Sequence, residues 1–111
     1  MPIRYLELDD SLRLSPEALT KQIAIDLKDG LSPWLLAVSA GTVNTGAVDP
    51  IDELAEICQE FGVWLHVDGA YGGFFNLTDH PKAKPLRAIS KADSIILVLT
   101  RAYFYLSFIF L

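Results

Sequence analysis

Three short apolar runs, Trp34–Ser39, Val63–Val67 and Ser94–Leu99, constrain this chain more than any other feature. Each has the length of a strand, and each is almost continuously apolar, the pattern of a parallel strand covered on both faces. Between the first two lies a helical stretch. Asp49-Pro50 reads as its cap and opening, Ile51, Leu54, Ala55, Cys58 and Phe61 form its apolar stripe, and Gly62 ends it. An earlier helix starts at Ser15-Pro16-Glu17, carries Leu19, Ile23 and Leu27 at spacings of four, and stops at Gly30. Ahead of it, Tyr5-Leu6-Glu7-Leu8 alternates like a short strand. The stretch broken by Pro81 and Pro85 reads as a loop. Alternation of strand and helix, ending in two successive strands, predicts an α/β fold. Its sheet is mainly parallel and its crossovers are helical.

Composition narrows the function classes. A hydrophobic fraction of 51% suits a sheet with two covered faces. The longest apolar stretch, Ser94 to Leu111, is interrupted at Thr100-Arg101, which argues against a membrane span. No signal-type segment opens the sequence, so a cytoplasmic location is expected. Net charge is −5 and no stripe of Lys or Arg is present, which argues against nucleic acid as a partner. The lone Cys58 sits on the apolar helical stripe and reads as a buried hydrophobe.

In parallel sheets, ligands bind beyond the carboxyl ends of the strands. Two glycine-containing loops leave strands there, Gly41–Gly46 and Asp68–Gly73. Trp64, His66 and Asp68 alternate on one side of their strand, with Val63, Leu65 and Val67 on the other. Asp68 therefore stands at the lip of the sheet. It is either a turn aspartate satisfied by local amides or a carboxylate waiting for a cationic or N–H partner. His66 and Asp68 fall short of the three or four ligands of a zinc site, so His66 reads as a satisfied strand histidine and no metal is expected. His80, beside Pro81, reads as solvated.

The string Ala40-Gly41-Thr42-Val43-Asn44-Thr45-Gly46-Ala47-Val48-Asp49-Pro50, followed by Trp64-Leu65-His66-Val67-Asp68-Gly69-Ala70-Tyr71-Gly72-Gly73, resembles the group II decarboxylases that depend on pyridoxal 5'-phosphate (PLP). This family includes the aromatic amino-acid, glutamate and histidine decarboxylases. The likeness runs from about Arg4 to Leu97. It implies a partial large domain of the aspartate aminotransferase-like, fold type I architecture over residues 1–97, and removal of the α-carboxylate from an L-amino acid by the intact enzyme. It also implies a homodimer. Asp68 would meet the pyridine nitrogen of PLP, Ala70 would lie against the ring, and Thr42 would orient a neighbouring group or simply cap its loop. Another fold type I enzyme, such as an aminotransferase or sulfur lyase, and a non-catalytic pairing module are the competing readings.

The sequence also departs from the family. Relatives run from Ala-Asp-Ser and an apolar strand into Pro-His-Lys, whose lysine forms the Schiff base with PLP. Here Ala92-Asp93-Ser94-Ile95-Ile96-Leu97 continues into Val98-Leu99-Thr100-Arg101-Ala102-Tyr103. No lysine stands in that place, so catalytic residues are expected to be absent, PLP binding by this chain weak or lacking, and the chain inactive alone. Lys91 is at the wrong end of its strand, and Lys82 and Lys84 carry no distinguishing pattern. Relatives also carry a long upstream region and a small C-terminal domain, so this chain reads as an internal piece. Residues 98–111 form a divergent apolar tail, for which an out-of-frame origin is one account: suitable codons for Leu99-Thr100-Arg101, read one base earlier, begin Asp-Pro-His.

Overall fold

A computed structural model describes residues 1–98, and the expected apolar tail from Leu99 onward lies outside them. The chain forms helix α1 (Pro16–Lys28), strand β1 (Leu35–Ser39), helix α2 (Ile51–Phe61), strand β2 (Trp64–Asp68) and strand β3 (Ser94–Ile96). Two 3-10 segments, Gly73–Leu77 and Pro81–Lys91, join β2 to β3. The three strands are parallel in the order β1-β2-β3, with Leu35 beside Trp64, Ser39 beside Asp68, and Asp68 beside Ile96. This is the expected α/β architecture.

Helix α1 begins as its sequence demands: the Ser15 hydroxyl accepts from the Ala18 N–H at 3.2 Å and Pro16 is the first helical residue. Its inner face is Leu19, Ile23 and Asp26, while Leu27 lies outside the core. The buried stripe thus advances by four and then three. Asp26 tolerates burial because the Arg4 guanidinium and the Gln22 amide reach its Oδ1 at 3.1 and 2.9 Å. Helix α2 buries Ile51, Leu54, Ala55 and Cys58, but Phe61 stays 38% exposed. Gly62 ends it in the left-handed conformation, φ +68°.

Local capping logic fails at Asp49. Its carboxylate makes no cap for α2; its two oxygens accept instead from the Leu14 and Ser39 backbone N–H groups, each at 2.7 Å. One side chain therefore ties the segment before α1 to the end of β1. The first expected strand is likewise corrected. Leu8 makes a single antiparallel bridge with Leu14, and Tyr5 is almost fully exposed. A strand exists only by pairing, and none of β1–β3 is ranged alongside this segment. The proline-broken loop is also more ordered than expected, since Ala83, Leu86, Ala88 and Ile89 of the second 3-10 segment pack into the core.

The largest departure concerns the sheet's faces. Leu36, Val38, Leu65 and Val67 are buried beneath α1, α2 and the Pro81–Lys91 segment, whereas Leu35, Ala37, Trp64 and Ile96 on the other face are exposed. Right-handed crossovers along a strand order that advances in one direction all fall on one side. Among the described residues, nothing covers the second side.

Cys58 is 2% exposed, and burial, with a smaller push from the Asp93 carboxylate, raises its thiol to about 11. The folded chain therefore holds this proton more tightly than the unfolded one. The resulting stabilisation is complete below about pH 9 and fades as pH rises towards 11. A Cys58→Val chain should lack that alkaline fall in urea titrations, and native Cys58 should react with iodoacetamide far more slowly at pH 8 than the urea-unfolded thiol.

Candidate cofactor site

Asp68 closes β2 because the strand's hydrogen-bonding ends there. Its carbonyl accepts from the Ala40 N–H at 2.9 Å, and the next N–H, of Gly69, binds the Ile96 carbonyl at 2.9 Å. The chain then turns through Ala70 and Tyr71 into the first 3-10 segment. The side chain follows the strand's alternation onto the open face and is exposed. Its Oδ1 accepts from the Ala70 N–H at 3.0 Å, and among the described residues no other hydrogen bond reaches the carboxylate. It is thus neither buried nor saturated by local amides, and one oxygen remains available to a donor.

Glycine determines how closely the two loops meet. A Cβ on Gly72 would strike the Ala40 carbonyl oxygen and stand 3.0 Å from the Gly41 Cα. Gly41 itself has φ +92°, and a Cβ there would stand 3.0 Å from the Gly72 Cα. Backbone thus packs on backbone, and the ends of β1 and β2 form one rim. Gly72→Ala should destabilise the chain by about 1–3 kcal/mol, the usual cost of forcing atoms into a filled space. Urea unfolding followed by tryptophan fluorescence would measure it.

The remaining expected residues divide. Ala70 is half-buried and its amide holds Asp68 in place. Thr42 faces its own loop: its hydroxyl lies 2.6 Å from that of Thr45, its N–H binds the Ala47 carbonyl, and its carbonyl takes the Gly46 N–H. All three of these bonds lie within the loop of residues 42–47. Lys91, which precedes the amino end of β3, pairs at 2.7 Å with Asp52 in the first turn of α2. Lys21 and Lys28 belong to α1. Among the described residues no three His, Cys, Asp or Glu side chains gather as metal ligands, and no helix is long and apolar enough to cross a membrane. His80 is exposed.

One group escaped sequence reasoning. Ser94 stands beside His66 across β2 and β3, and its Oγ lies 2.8 Å from both the Trp64 Nε1 and the His66 Nδ1. The alternation that places Trp64, His66 and Asp68 on one face was readable. The pairing register that brings Ser94 to them was not. Asp93 fixes that register, its carboxylate accepting from the Leu65 N–H at 2.7 Å while its own N–H binds the Leu65 carbonyl at 2.9 Å.

Two cavities line other parts of the molecule. One of about 810 Å³ lies at the amino ends of the strands beside Trp34, Cys58 and Lys91, and one of about 520 Å³ lies between the first residues and α1. Asp68 borders neither.

Residues 1–99 match the model of the pyridoxal-dependent decarboxylase conserved domain. The aromatic-L-amino-acid decarboxylase of Bacillus atrophaeus is 45% identical over 92 residues, which are 83% of this chain and 19% of that protein. The crystal structure of mouse CSAD superposes with a TM-score of 0.80 at 37% identity, over 85% of this chain and 20% of the other. Oryza sativa TDC, solved with PLP, superposes with a TM-score of 0.76 at 29% identity, over 85% and 20%. The chain spans about a fifth of the length of the relatives it matches.

Proposed function

Because this chain belongs to the pyridoxal-dependent decarboxylase family, we propose that it carries the ring-nitrogen half of a PLP site, in an enzyme that removes the α-carboxylate of an L-amino acid. The observation that carries this reading is the state of Asp68: an exposed carboxylate at the carboxyl end of the middle strand, with one oxygen held by Ala70 and the other open.

The residues present suit the polar end of a pyridine ring. An ionised carboxylate accepts a charge-assisted N–H···O bond and keeps the ring nitrogen protonated. Bound PLP supplies an electron sink for the bond pair released as carbon dioxide leaves. Asp68 contributes the counter-charge, and the Ala70 N–H keeps the carboxylate from swinging away. Ala70 would offer a methyl group to the ring face, where a larger side chain would displace the ring. Thr42, bonded to Thr45, would keep the β1 rim in shape. Residues 1–97 would then be part of the large domain, with residues 98–111 a separate tail.

Covalent attachment is another matter. Lys91 is paired with Asp52 in the first turn of α2, and no lysine follows β3 where relatives place theirs. The chain by itself is therefore proposed to bind the cofactor weakly, without attaching it, and to release no carbon dioxide from amino acids. The amino-acid substrate and the homodimer would belong to the complete enzyme.

The test is direct. Mixed with PLP, the chain should show no lysine-adduct absorption band that Asp68→Ala removes, and carbon dioxide release from a panel of L-amino acids should stay at background. An Asp68-dependent band, or measurable release, would refute the inactive reading.

A further inference from the structure

We propose that Trp64, Ser94 and His66 form a relay that makes His66 a positioning residue for Asp68. The inference rests on the cofactor reading above. It starts from donor counting. The indole Nε1–H of Trp64 can only donate, so at 2.8 Å the Ser94 oxygen must accept from it. The Ser94 oxygen keeps a second lone pair, but among the described residues the Nδ1 of His66, at 2.8 Å, is the one acceptor that its single O–H meets. We assign the donation from Ser94 to His66. With that assignment Nδ1 accepts, and the proton of a neutral ring resides on Nε2. Register makes the arrangement stiff, because His66 and Ser94 are cross-strand neighbours and Trp64 precedes His66 on the same face.

The free N–H of His66 therefore belongs to the face that carries Asp68, two residues further along the strand, or roughly 6.6 Å at the usual rise. No hydrogen bond joins the two side chains, and Asp68 is exposed. Seating a flat aromatic ring on this face removes that water. The carboxylate oxygen left open by Ala70 then needs a donor, because an unmet charged acceptor in a dry site is costly. His66 supplies it. Held by Ala70 on one oxygen and His66 on the other, the carboxylate keeps its remaining lone pairs aimed at the ring nitrogen. Sequence alone reads His66 as a satisfied strand residue; the Ser94 contact turns its second nitrogen into a donor.

The probe is pyridoxine 5'-phosphate, whose alcohol cannot condense with surface lysines. In the free chain, long-range 15N–1H spectra should show His66 protonated at Nε2 and bare at Nδ1. Ser94→Ala should mix the two forms, and Ser94→Thr, which keeps the hydroxyl, should restore the first. By equilibrium dialysis, His66→Phe should bind the probe about three- to tenfold more weakly, the loss of one hydrogen bond, and His66→Gln should recover most of it. The double variant His66→Phe/Asp68→Asn should bind no worse than Asp68→Asn alone, because His66 acts through Asp68. A proton on Nδ1 in the native chain overturns the relay. Native affinity in His66→Phe, alongside weak binding by Asp68→Asn, overturns the positioning role and leaves the cofactor reading intact. Equal binding by the native chain and Asp68→Asn overturns both.

Discussion

Replacing Asp68 by asparagine is expected to weaken binding of pyridoxine 5'-phosphate by about ten- to a hundredfold, while the unfolding midpoint in urea stays within experimental error. The two halves of that expectation have separate physical sources. A hydrogen bond to a charged group contributes about 1.5–3 kcal/mol, and the amide replaces a charge-assisted bond with a neutral one. Stability is spared because the side chain is exposed and makes a single local contact, with the Ala70 N–H, which the amide oxygen still accepts. Dialysis at fixed pH and a urea titration by circular dichroism would test both halves. An unchanged affinity would remove the cofactor assignment; a large loss of stability would show that Asp68 serves the turn instead.

Asp49→Ala should produce the opposite result, a loss of about 3 kcal/mol in stability from a residue outside the rim. Its carboxylate accepts from the Leu14 and Ser39 N–H groups at 2.7 Å each. Hydrogen bonds to a charged acceptor are worth about 1.5–3 kcal/mol apiece, and partial exposure of the site places the sum near the lower end. Asp49→Asn keeps one acceptor oxygen and should lose roughly half as much. Denaturant unfolding would measure these losses. A cost in the tenths of a kcal/mol would mean that water replaces the carboxylate freely at both amides. Because Ser39 precedes the Gly41 turn and lies beside Asp68, the Ala variant should also widen the rim and weaken ligand binding. Asp49 thus connects packing to the site.

The open face bears on both results. Trp64 is 49% exposed and Ile96 49%, on a sheet whose other side is packed by two helices and a 3-10 segment. Parallel sheets are otherwise found with both faces covered. The chain's span of a fifth of its relatives fits a sheet with one layer in place. The apolar runs of the sequence are composed for two layers.

Local chemistry made much of this protein legible before any coordinates. Ser15-Pro16 starts a helix wherever it stands, because the cap and the fixed proline φ act within one turn. Glycine at position 62 stops one because it alone enters the left-handed region without strain. The alternation Trp64-Leu65-His66-Val67-Asp68 put the carboxylate on the face of Trp64 and His66, opposite Leu65 and Val67, as observed. The same reasoning misled where distant residues compete for a group. Asp49 was read as a cap by its neighbour Pro50, but two amides remote in sequence hold it. Leu27 followed a spacing of four, but the helical period brought Asp26 inward instead, where the Arg4 guanidinium meets it. Tyr5–Leu8 alternated like a strand and found only Leu14 to pair with.

What the sequence by itself determined, then, is the two helices, the three parallel strands and the residues that share a face with Asp68, since these follow from forces acting over a few residues. Tertiary structure decided the rest. It set the pairing register that brings Ser94 to His66, the contact of Gly41 with Gly72 that joins two loops into one rim, and the side of the sheet left bare. Those depend on which strands lie side by side, and strand pairing joins groups far apart in the chain, where no local preference reaches.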